Sequence, residues 1–214
     1  MTINNKYQTT SPPAIASYDY TDIAEGTGVS KFYFFNSIDS AGTDYVITTD
    51  SSIYSSEAKV SGAPTGTPAN KVIDVDFDLV LNFPKNVKGK MIFQLFTDVT
   101  SNTTGNLDGA YAIGRLSKVS GGTESVLYTV TSDTRNDLGN SGATKRYLWN
   151  MELDVTTTQH FKRGDTLRIT IELWGYLATG NGTFALMIDP VNRSAAVDDL
   201  PANSNVHIPF RLDL

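Results

Sequence analysis

The 214-residue chain contains no cysteine. Disulfides, thiolate zinc sites and cysteine nucleophiles are therefore excluded. Histidine is almost as scarce, with only His160 and His207. His160 sits just before a turn and His207 on the polar side of the last strand pattern. Neither belongs to an H-E-x-x-H or G-x-S-x-G arrangement, and both read as surface or interface side chains. No apolar run approaches the 18 residues a membrane-spanning helix needs, so no membrane partner is expected. The opening MTINNKYQTTSPP has no apolar core of a signal peptide, which leads to the expectation of a chain made in the cytoplasm. Positive charge is thin: no cluster of Lys and Arg exceeds two residues, and the net charge is −6. Non-specific nucleic-acid binding runs on phosphate neutralisation, so nucleic acid is not an expected partner.

What is present is a globular composition, 40% hydrophobic and 10% aromatic, well above that of a disordered chain. A single domain of this length buries roughly 70% of the surface its unfolded chain exposes. It needs neither a metal nor a disulfide to fold. Alternation with period two recurs along the chain. Ile73, Val75, Phe77, Leu79, Leu81 and Phe83 share one face of a strand, opposite Asp74, Asp76, Asp78 and Asn82. Tyr147, Trp149, Met151, Leu153 and Val155 share a face opposite Asn150, Glu152 and Asp154, and Leu167, Ile169, Ile171 and Leu173 alternate with Arg168, Thr170 and Glu172. Such runs mark half-buried strands. Weaker runs cover 31–35, 45–49, 91–99, 111–119, 126–131, 183–188 and 206–212. Ser120-Gly121-Gly122 reads as a hairpin turn, and Arg163-Gly164-Asp165 as the turn into a strand rather than a receptor-binding tripeptide. About ten strands with frequent turns predict an all-β fold: an antiparallel β-sandwich, jelly-roll-like. An extended polar arm covers residues 1–16, broken by Pro12-Pro13, and one sandwich domain covers 17–214.

Three patterns carry candidate chemistry. Asp74, Asp76 and Asp78 have a calcium-like spacing, but on a strand they stand about 6.5 Å apart along one face. A calcium loop needs a sharp turn and a distal bidentate acid. A solvated or cation-paired strand face is expected instead, with no metal and no cofactor. Glu152 and Glu172 lie on polar strand faces and would serve glycoside hydrolysis only if they shared a cleft. With no catalytic motif visible, the chain is expected not to be an enzyme. Trp174 falls on the same side of its strand as Glu172, with Tyr176 two residues on. The pair is a candidate glycan platform. The competing reading is a Trp buried at a strand end or in a subunit contact.

The segment 161–173, FKRGDTLRITIEL, resembles the turn-and-strand segment of many jelly-roll domains, including virion and carbohydrate-binding ones. Together with 208–214 (IPFRLDL) and 17–28 (SYDYTDIAEGTG), it resembles structural proteins of tailed-bacteriophage virions. That resemblance implies a capsid decoration or accessory component of the virion. Such a component binds neighbouring capsid or tail subunits and assembles in the host cytoplasm. The exposed edge strands of a sandwich, which must be capped, charged or paired, add the expectation of a homo-oligomer. Pro12 and Pro13 of the arm, with Ile208, Phe210 and Leu212 of the last strand, are the expected assembly contacts. Pro209 and the terminal position suggest that this strand lies at a sheet edge. The alternative is a carbohydrate-binding module or phage adhesin that recognises a surface glycan through exposed aromatics.

Overall fold

The computed structural model describes residues 27–39, 42–65, 69–101, 106–136, 142, 144–179, 182–193 and 200–211. The arm with Pro12 and Pro13, and Leu212, lie outside them. Among the described residues eleven strands follow one another: β1 (Thr27–Asp39), β2 (Gly42–Thr48), β3 (Lys59–Gly62), β4 (Asn70–Val80), β5 (Lys85–Ser101), β6 (Asn106–Ser120), β7 (Thr123–Thr131), β8 (Thr144–Phe161), β9 (Thr166–Thr179), β10 (Gly182–Met187) and β11 (Asn205–Arg211). Every strand anticipated from alternation is present. Only β3 has no counterpart in the sequence reading, because four residues are too short to display a period.

Eight strands make two antiparallel layers with the spatial orders β1-β11-β5-β8 and β4-β9-β6-β7. Two interlocked Greek keys of this order constitute a jelly roll. Along one side, β2 pairs with β1 and meets β4 in a single parallel contact, Val46 with Asp78. Along the other side, side chains close the gap between β7 and β8. The Tyr128 hydroxyl sits 2.6 Å from Thr157 Oγ1 and accepts from Thr157 N–H at 3.1 Å. Lys118 Nζ donates to the His160 carbonyl at 2.9 Å.

The apolar rows of both layers face each other. Phe34 of β1 meets Phe77 of β4 with ring centroids 4.6 Å apart. Leu167, Ile169, Ile171 and Leu173 of β9 complete one wall, and Met91, Phe93 and Leu95 of β5 the other. The β6–β7 hairpin turns at Gly121 and Gly122, both with positive φ, the primed-turn geometry that matches strand twist. In the turn before β9, Asp165 is buried rather than presented, and its carboxylate accepts from Lys162 N–H at 2.7 Å.

Two expectations need correction. The row that begins at Ile73 does not continue inward to Phe83, because β4 ends at Val80 and Phe83 stands 74% exposed. Nor is the last strand an edge: β11 pairs with β1 on one side and β5 on the other. Ile208 and Phe210 are buried in the chain's own core, so they are not free to contact a neighbouring subunit. Pro209 is tolerated in a central strand because the β11–β5 register breaks between His207 and Phe210. Its missing N–H falls where the ladder is already interrupted.

Outside the first layer, Ala202 and Leu200, from the described parts of the segment between β10 and β11, pack with Phe96, Met187 and Leu148 in a small satellite core. Asp189, fully buried, anchors the start of that segment. It accepts from Arg193 N–H and Nε, both at 2.8 Å, and from Ser55 N–H at 3.4 Å. Burial raises its pKa, but the bonds from Arg193 and Ser55 outweigh burial and hold it below the ordinary aspartate value. The Lys162 N–H, Ser120 and Lys118 lower Asp165 to about 2.

Trp149 is 3% exposed and its indole N–H donates to Thr97 Oγ1 at 2.8 Å. Trp149→Ala is expected to cost roughly 3–5 kcal/mol, read as a lower denaturation midpoint with unchanged slope. A variant as stable as the parent would contradict this placement. The depressed carboxylates predict acid lability. Their contribution is complete above the unfolded aspartate pKa of about 3.9 and is lost as pH falls through the folded values. Melting temperature should therefore hold from neutral pH to about pH 5 and decline between about pH 4 and 2. Asp189→Asn should soften that decline, and an identical acid profile would show that Asp189 does not contribute.

Candidate functional site

β9 is central in the second layer, between β4 and β6. Its inward row is apolar, so Arg168, Thr170, Glu172, Trp174 and Tyr176 project from the opposite face. The register sets Asp74, Asp76 and Asp78 of β4 beside Glu172, Thr170 and Arg168. On the other flank it sets Tyr111 beside Trp174, Ile113 beside Glu172 and Arg115 beside Thr170.

The result is a continuous polar network. Arg168 grips Asp78 with two bonds of 2.8 Å and reaches Asp76 at 3.2 Å and Glu124 of β7 at 2.9 Å. Its pKa is raised, first by the hydrogen bond to Asp78. Thr170 Oγ1 donates to Asp76 at 2.6 Å. The aspartate ladder is thus a cation-paired strand face. Among the described residues no group of three or more His, Asp or Glu is arranged to hold a metal ion.

Glu172 is the hub beyond the ladder. Its Oε1 accepts from Arg115 Nη1 and, at 3.4 Å, from Lys71 Nζ, while Oε2 accepts from the Trp174 indole N–H at 2.7 Å. Burial raises its pKa, but Arg115 and Trp174 prevail and keep it below the usual glutamate value. Lys71 also pairs with Asp74 at 2.6 Å. Trp174 is thereby pinned, and its ring lies parallel to that of Tyr111, 8° apart in plane with centroids 5.9 Å apart. Tyr176 lies across Gly109 of β6, where a Cβ would come within 2.4 Å of its ring.

Trp174 and Tyr176 therefore share the outer face, and Tyr111 joins them. Tyr111 escaped the sequence reading because its neighbour is decided by strand pairing, not by spacing along the chain. Glu152 and Glu172 are not brought together. Glu152 pairs with Lys90 at 2.7 Å on the outer face of the first layer, and Glu172 faces outward from the second. His160 Nδ1 lies 2.7 Å from Asn86 Oδ1. His207 is half-buried, and burial, then Lys31, lower its pKa.

Chelation is expected to leave the protein unchanged, because Lys71, Arg168 and Thr170 satisfy the ladder. A shift of melting temperature in EDTA beyond about 2 °C, roughly half a kcal/mol to 1 kcal/mol for a chain of this size, would contradict that assignment.

No protein-family model matches the chain, and no curated protein matches it in sequence. Solved structures share its fold. A CocE/NonD family hydrolase from Staphylococcus aureus matches at 12% identity over 86% of this chain and 37% of its own, with a TM-score of 0.51. An α-amino acid ester hydrolase matches at 9% identity, over 85% and 36%, with a TM-score of 0.55. An aminopeptidase from a marine sediment archaeon, Thaumarchaeota archaeon, matches at 10%, over 84% and 36%, with a TM-score of 0.51. The chain spans little more than a third of the length of each. A subviral particle of infectious bursal disease virus VP2 matches at 11% identity, over 72% and 39%, but its TM-score of 0.32 is too low to bear on function. The hydrolases correct the expectation of a non-enzyme. The same β-fold occurs inside catalytic proteins, so the lack of a motif in this segment does not assign the chain to a class without catalysis. Function resides in sites placed on a fold, and a fold does not carry it alone. The comparisons show a likeness of fold alone, one shared with parts of hydrolases.

Proposed function

We propose that this chain is a structural component of a tailed-phage virion, a capsid decoration or accessory protein that associates with copies of itself and with neighbouring subunits. The reading concerns binding, and it treats the hydrolase likeness as one of fold. The observation that carries it is Phe83. It stands 74% exposed in the turn between β4 and β5, and backbone hydrogen bonds hold that turn. Leu81 N–H donates to the Asp165 carbonyl at 3.0 Å, and Gly164 N–H donates to the Leu81 carbonyl at 2.8 Å. These bonds tie the corner to the β8–β9 turn, which presents exposed Lys162 and Arg163. Val80 is exposed on the adjoining strand end.

An aromatic side chain held clear of the core, with basic neighbours and a fixed backbone, has the character of an interface anchor. Burying a phenylalanine fully is worth roughly 1.5–3 kcal/mol, and a closed ring repeats that gain at each contact. This anchor takes the place of the last strand, whose apolar row is spent on the core. The resemblance of 161–173 to virion jelly-roll segments supports the same reading, because that segment forms the turn and strand beside Phe83.

The test is Phe83→Asp. The variant should fold as the parent does by circular dichroism and melting, yet lose association in light scattering and incorporation into particles. Unchanged association with an unchanged fold would refute the proposal.

A further inference from the structure

We infer that the outer face around Tyr111 and Trp174 binds a neutral oligosaccharide, with a pyranose ring against the aromatic pair. This goes beyond the assembly reading and rests on different residues.

A pyranose has an apolar C–H face and a rim of hydroxyls. The C–H face suits an aromatic surface, and the hydroxyls need fixed acceptors and donors close by. Both are built here. Trp174 and Tyr111 are held parallel on adjacent strands. The indole is fixed before any ligand arrives, because its N–H is bonded to Glu172 and Glu172 is itself held by Arg115 and Lys71. A side chain already ordered loses little entropy on binding. Tyr176, lying across Gly109, extends the aromatic row along β9.

Charge decides which sugar. On this face five carboxylates (Asp74, Asp76, Asp78, Glu124 and Glu172) share three cations (Lys71, Arg115 and Arg168). Each of those cations is already paired with a carboxylate. An anionic sugar would meet excess negative charge. A neutral sugar finds acceptors instead: the Asp74 and Asp76 side chains are 46% and 42% exposed and can accept hydrogen bonds from hydroxyls. Sugar binding and Phe83-mediated assembly occupy separate residues, so both can operate in one molecule.

The test uses an array of neutral oligosaccharides beside sialylated and uronic ones, probed with the full chain. The strongest neutral component is then titrated by tryptophan fluorescence. The signal reports on Trp174, since Trp149 is buried. Neutral components should bind and acidic ones should not. Trp174→Ala and Tyr111→Ala should each weaken binding at least about tenfold, or about 1.4 kcal/mol. Trp174→Phe keeps a ring but loses the N–H that orients it, and should weaken binding about threefold or more; it decides the matter if an alanine variant fails to fold. Phe83→Asp should bind sugar normally, which separates this inference from the assembly reading. The inference is overturned if the folded chain binds no neutral oligosaccharide, if it binds only acidic ones, or if the Trp174 variants bind as the parent does.

Discussion

The rest of this molecule depends on the alternation of β9. It is the central strand of the second layer, bonded on both sides, so its two rows of side chains have no freedom to exchange. Leu167, Ile169, Ile171 and Leu173 enter the core. Arg168, Thr170, Glu172, Trp174 and Tyr176 are thereby committed to the outer face. A slip of one residue would bury a guanidinium and a carboxylate and expose four large apolar groups. Burying each of those apolar groups is worth roughly 1.5–3 kcal/mol, so the register is held far more firmly by the core than by any polar contact outside it. The network around Glu172 and Arg168 is a consequence of that packing rather than its cause.

The two long sides of the sandwich are finished differently. On the β1–β4 side, β2 continues the backbone ladder from one layer to the next. On the β7–β8 side no such strand is present among the described residues, and Tyr128 and Thr157, with Lys118 of β6, bridge by side chains instead. Side-chain bridges at a partly solvated edge are individually weak. The cohesion of that side therefore comes from the core beneath it, where Trp149, Met151, Leu153 and Val155 of β8 are all buried. The β10–β11 segment adds a third device, a buried aspartate that holds Arg193 and the Ser55 backbone together outside the main core.

The likeness to hydrolases and the aromatic face bear on function at different levels. The first concerns how strands are ordered, which many unrelated activities share. The second concerns particular side chains at measured distances, and it is there that binding specificity has to be sought. Phe83 and the Tyr111–Trp174 pair lie on separate parts of the surface. One presents an exposed ring beside basic residues, the other parallel rings among carboxylates, so the two surfaces differ in chemistry.

Local chemistry determined much by itself. Alternation in 73–79, 147–155 and 167–173 dictates strands, since period two lets those apolar residues share a face; it did not show that the row fails before Phe83, beyond the end of β4 at Val80. The Gly121–Gly122 turn, the core place of Trp149 and the common face of Trp174 and Tyr176 follow from the same local rules. Tertiary structure decided what depends on partners distant in sequence. That Tyr111 lies against Trp174, that Arg168 neutralises the aspartate ladder, and that Glu152 and Glu172 face opposite sides of the sandwich are matters of which strands pair. It also decided the fate of the last strand. An apolar row beside a proline reads equally well as an edge seeking a neighbour or a central strand with an interrupted ladder. Alternation specifies which residues are buried but not against what. Only the closing of β11 between β1 and β5, with a register break at Pro209, made Ile208 and Phe210 part of the chain's own core.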